Sequence, residues 1–360
     1  MGQPPESARP VPDGLAPFWD GPVSAFATLP PEPIAPEMQE RHRIYALCLM
    51  GLLATYWNGN KFGETGDYGA WRTSQVVAPL PSGGNLYAGG TYLGHNIAAI
   101  AVDGDGRVMD YEFNHNNVFD SSVEHAESRL VRRLFALSQV YSPWEQDGAP
   151  GTAPGAGAPA SGAAVAAPAA SLFATSSTAP INRQYSTLLD NVTIYTSLES
   201  CAQCSGIMTL ASVANIVYLE WDQGEFLIGN LMYRATQAAP TGFDAPRPIG
   251  GDEIGLTYFD QLNQGNDSFS TAVATSPFYR STGFASTTPS VTSYLCTDGA
   301  RAIYEAGAAD FASLAGRLAF GAWSPPGSGG QLTNAQACTN AQAFLAYAQA
   351  VGNRGTPHRV

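Results

Sequence analysis

Apolar residues recur at helical spacing between Met38 and Trp57, where Ile44, Leu47, Cys48 and Leu52 share a face and no Gly or Pro intervenes before Gly51. The spacing predicts a helix over 38–57. Upstream, residues 1–37 carry repeated prolines and little apolar periodicity, which reads as a flexible, Pro-rich tail. Residues 58–94, rich in Gly, Tyr and Asn, read as irregular loop with at most a short helix. The period then changes. Segments 96–103 and 107–114 alternate in the manner of strands around Gly104-Asp105-Gly106, turn residues able to take positive φ, so a β-hairpin is expected. From His125 to Val140 the leucines Leu130, Leu134 and Leu137 return to helical spacing, with Ser121, Ser122 and Glu124 offering capping chemistry just before them.

The stretch 148–180 consists of Gly, Ala, Pro, Ser, Thr, Val, Leu and Phe, without a charge. Such a run buries too little apolar surface to offset its ordering entropy and reads as a flexible linker. After it, Asn191–Thr196 is a β-branched and aromatic strand, Ser205–Ala211 a short helix, Asn215–Trp221 a second strand and Glu225–Thr236 a helix. Asp298–Phe320 and Asn334–Val351 are Ala-rich helix candidates, while 240–296 mixes Gly, Pro, Ser and Thr with isolated aromatics and gives no clear element. The order helix, two strands, helix, strand, helix, strand, helix points to an α/β layered domain.

Composition narrows the class. Charged residues make up 13% and hydrophobic ones 44%, which excludes a wholly disordered chain, and no stretch approaches the roughly 20 apolar residues of a membrane span. The formal net charge of −13, with Lys61 the single lysine, disfavours a long polyanion as default partner, because such binding depends on displacing counterions with basic side chains. No basic segment followed by an apolar one opens the chain, so a cytoplasmic location and no membrane association are expected. Cys48, Cys201, Cys204, Cys296 and Cys338 are too few, and odd in number, for a disulfide scaffold.

Two segments carry chemistry: Val123-Glu-His-Ala-Glu-Ser128 and Ser197-Leu-Glu-Ser-Cys-Ala-Gln-Cys-Ser205, each opening an expected helix. One imidazole (His125) and two thiolates (Cys201, Cys204) suit Zn2+ and leave a fourth tetrahedral position for water, the plan of a catalytic zinc site. Cys-x-x-Cys at a helix N-terminus lets both sulfurs reach one ion, where the helix dipole favours thiolate. Glu127, two residues past His125, is placed to pass protons between water and a substrate.

These residues, together with Ile207-Met208 and Asn215-Ile-Val-Tyr218, resemble the cytidine deaminase-like superfamily, in particular its branch of CMP/dCMP, guanine and tRNA adenosine deaminases, across roughly residues 40–235. The resemblance implies a three-layer α/β/α fold with a mixed central sheet and a zinc site at the N-termini of two helices. It implies zinc ligands His125, Cys201 and Cys204, a proton-shuttling Glu127, and substrate contacts at Asn114 and Ala126, with Asn116 and Asn117 as rivals of Asn114. The implied activity is zinc-dependent hydrolysis of a cyclic amidine C–N bond in a small-molecule nucleobase, nucleoside or nucleotide, with release of ammonia. A polynucleotide substrate (tRNA or single-stranded DNA) and a non-catalytic, zinc-stabilised interaction protein are the alternatives, and a homo-oligomer is possible for the family. The sequence departs from the family in having Ser200 where Pro is usual before the first cysteine.

His125 and Cys201 are 76 positions apart, and the 148–180 run accounts for much of that gap. It therefore reads as an insertion within one deaminase domain, 38–236, followed by a C-terminal extension, 237–360, packed on it. The plainer alternatives are a redox dithiol at Cys201/Cys204 and a closed zinc site completed by Cys296. His95 and His115 read as loop hydrogen-bonders and Cys48 as core. Arg129, Arg132 and Arg133 read as a solvated helix face rather than a phosphate clamp, and Trp57, Phe113, Tyr195 and Trp221 as core aromatics rather than base-stacking ones.

Overall fold

The computed structural model describes residues 15–18, 21–57, 95–116, 121–137, 188–225, 227–238, 242–275, 290–327 and 330–352. The irregular stretch 58–94, the 148–180 run and Asn117 lie outside them.

Part of the Pro-rich N-terminal stretch takes a defined place: helix α1 (Val23–Ala27) precedes an extended segment, and Asn230 Nδ2 donates to the Ala27 carbonyl at 2.9 Å. Helix α2 (Pro36–Thr55) begins on a proline, which is suited to a first turn that needs no N–H donor. It is buried around nearly its whole circumference from Glu40 to Leu53, more than one apolar face requires. The reason is its position as a middle layer, packed on the sheet and also on helices α8 (Asp298–Ser313) and α9 (Asn334–Gly352).

The expected hairpin forms from β1 (Ala98–Val102) and β2 (Val108–Phe113), and Gly106 takes φ +92° in its turn. Its carbonyl accepts from the Tyr45 hydroxyl at 2.7 Å, which docks the turn on α2. A mixed five-stranded sheet follows the order β2-β1-β3-β4-β5, with β3 (Thr193–Thr196), β4 (Asn215–Tyr218) and β5 (Arg247–Gly250) parallel to one another and β1 antiparallel to both of its neighbours. Every residue of β1 and β2 is buried. Because successive strand residues point to opposite faces, both faces of the sheet must be covered. Helices α3 (Ala126–Leu137), α4 (Ala202–Leu210) and α5 (Ile228–Gln237) pack on one another and on the strands, and α2 supplies the second set of contacts.

Register fixes where the loops arrive. β1 runs against both β2 and β3, pairing Ala98 with Phe113 and Ala99 with Thr196, so β2, β3 and β4 all run the same way. Their C-terminal ends deliver Asn114, Ser197–Cys201 and Leu219–Glu225 to one edge, where open α/β sheets place their ligands.

Three elements fall in the stretch without a clear pattern: β5, helix α6 (Thr257–Thr275) and the short α7 (Val291–Tyr294). Residues Asn263 and Asn266 sit on the buried side of α6, so its inward stripe is partly polar; Asn263 Oδ1 accepts from the Trp221 N–H at 3.1 Å. Among the described residues no helix is long and apolar enough to cross a membrane.

Candidate metal centre

His125 immediately precedes α3, Cys201 is the residue that opens α4, and Cys204 lies in the first turn of α4. Packing of α3 against α4 brings these helix starts together. Cys201 Sγ lies 3.3 Å and Cys204 Sγ 3.6 Å from His125 Nδ1. The ligand atoms of the three lie within 4.8 Å of one another. Bonds of about 2.0–2.3 Å to one tetrahedral ion put ligand atoms about 3.6 Å apart, so donor type and spacing both fit zinc. Among the described residues the group has these three members and no fourth. Cys296, the candidate for a closed site, is buried elsewhere, with its thiol on the Thr292 carbonyl at 3.4 Å.

The electrostatics favour a charged pair. The hydrogen bond from the Cys204 thiol draws the Cys201 thiol down to about 4, against the opposing effect of burial and with help from His125. Cys204 is pushed up in turn, so the two sulfurs share one negative charge. The bond to Cys201 raises the His125 pKa, with Glu127 and Glu225 adding to it.

Glu127 is buried, and burial lifts its carboxyl above the ordinary range. The Thr196 hydroxyl donates to Glu127 Oε1 at 3.0 Å, and the Cys204 thiol lies 3.5 Å from Oε2. Ser128 Oγ is 3.3 Å from Cys204 Sγ and accepts from Gln203 Nε2 at 2.9 Å; Gln203 also donates to the Val123 carbonyl. Thr196, Ser128 and Gln203 were not singled out by sequence reasoning. Ser128 had a usable signal, since it lies three residues after His125 at the start of the same helix, whereas nothing local marks the last residue of β3.

Asn114 is buried at the end of β2, and its Oδ1 accepts from the Ala126 N–H at 2.6 Å. The helix cap thus comes from another element rather than from Ser121, Ser122 or Glu124. Ser121 instead accepts from the Val123 N–H, and Glu124 pairs with Arg129 at 2.7 Å and Arg132 at 3.0 Å. Ala126 is fully buried, with its N–H committed to Asn114. Asn116 donates to the Ser121 carbonyl at 3.4 Å.

Of the arginine triplet only Arg132 lies on a solvated face, 55% exposed; Arg129 and Arg133 turn to the sheet. Arg133 pairs with Asp110 and, at 3.4 Å, with Glu112, while Arg129 bridges Glu124 and Glu112. Alternate β2 residues would ordinarily be apolar here; these carboxylates instead fasten α3 to the sheet. His115 is buried with its pKa lowered to about 3 by burial and then by Arg129, and it stands outside the His-Cys-Cys group. Trp221 differs from the expected core aromatics in being 42% exposed, and it meets Phe259 edge-on at 5.1 Å.

Beyond Trp221 the loop turns acidic. Asp222 accepts from the Gly224 N–H at 2.9 Å and donates its own N–H to Glu199; Glu225 Oε2 accepts from the Ala202 N–H at 3.4 Å. Burial raises Glu199 to about 7 and also raises Asp222.

No family model matches the chain, and no curated protein does. Among solved structures, one from studies of A-to-I editing by tRNA:A34 deaminases at the wobble position of transfer RNA is similar over 43% of this chain and 82% of that one, with 18% identity and a TM-score of 0.25.

Proposed function

We propose that this chain is a zinc-dependent hydrolytic deaminase, replacing the amino group of a nucleobase, nucleoside or nucleotide by a carbonyl and releasing ammonia. The observation that carries the reading is the coincidence, at two helix N-termini, of a three-donor zinc set with a buried carboxyl two residues from one donor. His125, Cys201 and Cys204 hold the ion. When bound, zinc supplies the Lewis acidity that makes water nucleophilic near neutral pH.

The chain's own groups move the protons. Glu127, kept from solvent and held by Thr196, accepts a proton from water and delivers it to a ring nitrogen as the water oxygen bonds to the amine-bearing carbon. The remaining proton of that oxygen passes through Glu127 to the amino nitrogen. The C–N bond breaks, ammonia leaves, and the oxygen remains as the carbonyl. Glu127 finishes in its starting state, so no further reactant is needed. A carboxyl raised by burial suits both halves of the shuttle. Asn114 Oδ1 accepts from the Ala126 N–H, so Ala126 fixes the orientation of the amide and leaves its NH2 group to donate to a substrate acceptor.

The test is an ammonia-release screen of the zinc-loaded chain over bases, nucleosides, nucleotides and oligonucleotides, with Glu127→Ala as blank and metal content measured by mass spectrometry. Ammonia above the blank with one zinc per chain supports the reading. Zinc without ammonia from any substrate overturns it in favour of a zinc-stabilised interaction protein.

A further inference from the structure

We infer that this site takes an unphosphorylated substrate, a neutral or cationic base or nucleoside, and rejects 5′-monophosphates and polynucleotides. The inference rests on the deaminase reading above.

The accessible members of the cluster are His125 and Cys201, both half-buried, while Cys204 and Glu127 lie behind them. A substrate reaching the cluster meets that side first. There the rim is the 221–225 loop, and its charge is of one sign. Glu225 holds the N–H of Ala202, the residue after Cys201, and its carboxylate acts on His125. Asp222 lies within electrostatic range of both His125 and Cys201.

Nothing among the described residues offsets this rim. On the metal helix Arg129 and Arg133 are held by Glu124, Glu112 and Asp110, and the exposed Arg132 is paired with Glu124. The remaining arginines among the described residues are likewise held by carbonyl, carboxamide or carboxylate oxygens of their own surroundings. A phosphate dianion brought to this edge faces carboxylates with no unpaired arginine among the described residues, and like charges set against each other are a strong means of rejecting a partner. Trp221, on the same loop and 42% exposed, offers an uncharged ring on which a base can stack. The rim therefore admits the ring and disfavours the phosphate.

The zinc-loaded full chain tests this. Initial rates of ammonia release are compared for cytosine, cytidine and CMP, for adenine, adenosine and AMP, for guanine, guanosine and GMP, and for a single-stranded oligonucleotide. For whichever ring reacts, kcat/KM for the base or nucleoside is expected to exceed that of the 5′-monophosphate by about tenfold or more at low salt, with the gap narrowing as salt screens the rim. Combining Glu225→Lys with Asp222→Asn should close the gap or reverse it. A monophosphate or oligonucleotide as the better substrate, or a gap that the double substitution leaves unmoved, overturns the inference. Failure of the underlying reading looks different: no ammonia forms from anything. Calorimetry on the same zinc-loaded chain then decides the inference by itself, with tighter binding of nucleoside than of its monophosphate supporting it and the opposite order overturning it.

Discussion

Two buried glutamates, Glu127 and Glu220, differ in what surrounds them. Both are almost wholly enclosed, and burial pushes both carboxyls above the ordinary range. Glu127 sits in the first turn of α3 with a hydroxyl donor on one oxygen and a thiol near the other, beside an imidazole. Glu220 lies just past the end of β4, and among the described residues neither of its carboxylate oxygens has a hydrogen-bond partner. Its nearest electrostatic neighbours are Asp222, Tyr294 and Tyr304, none of which is a cation. Burial alone makes a carboxyl neutral. Burial combined with donors and a cluster able to hold a metal is what the proposed proton carrier Glu127 has and Glu220 lacks.

The largest expected effect breaks the comparison at its first member. Glu127→Gln should lower kcat by about 10²–10⁴-fold, the usual worth of a positioned proton carrier, while zinc content by mass spectrometry stays at the wild-type level. Glu220→Gln should leave turnover near wild type. If Glu127→Gln keeps full turnover, the assignment of the shuttle falls.

The second prediction turns on Glu220 and stability. Its folded pKa is raised, so the folded chain holds a proton that the unfolded chain releases above about pH 4.3. Folding is then favoured fully below that pH and loses up to about 1.4 kcal/mol for each unit of rise until the folded pKa is reached. Glu220→Gln removes the slope. In urea unfolding the variant should gain on wild type progressively as the pH rises from 5 to 7. Equal gains at both ends of that range would mean that Glu220 is paired and ionised in the folded chain.

The same pair marks how far the sequence could be read. The ligand types and Glu127 stand in two short motifs whose flanking elements have clean periods, and the structure places His125, Cys201 and Cys204 side by side despite the long separation in the chain. The hairpin, α2, β3 and α4 were legible for the same reason: one period, then a turn residue. Glu220 falls inside the expected strand Asn215–Trp221, which in the structure ends at Tyr218, and nothing local marks its burial, because that is imposed by elements far along the chain. Those elements were the least legible. β5 holds Pro248 and Gly250 and survives as an edge strand, where a proline costs least. The inward positions of α6 include Asn263 and Asn266, which erase the apolar stripe that would have announced a helix. The burial of Arg129 and Arg133 on α3 had no local signal because their partners Glu112 and Asp110 come from β2, the strand on which the helix packs.

The smallest effect sharpens the comparison from the donor's side. Thr196 closes β3 and is fully buried, and its hydroxyl is what Glu127 has and Glu220 lacks. Thr196→Val keeps shape and volume but removes that donor, leaving Glu127 Oε1 closer to the condition of Glu220. A buried hydrogen bond to a carboxyl is worth roughly a factor of ten when only one partner is deleted. Thr196→Val should therefore lower kcat about tenfold with KM and zinc content nearly unchanged. Thr196→Ser restores the hydroxyl on a smaller side chain and should recover most of the loss, although it leaves a worse-packed strand end. Recovery with Ser separates positioning of Glu127 from packing, since a packing role would make Ser the more damaging of the two. Wild-type kcat in Thr196→Val would mean that burial and the neighbouring cluster suffice without a dedicated donor.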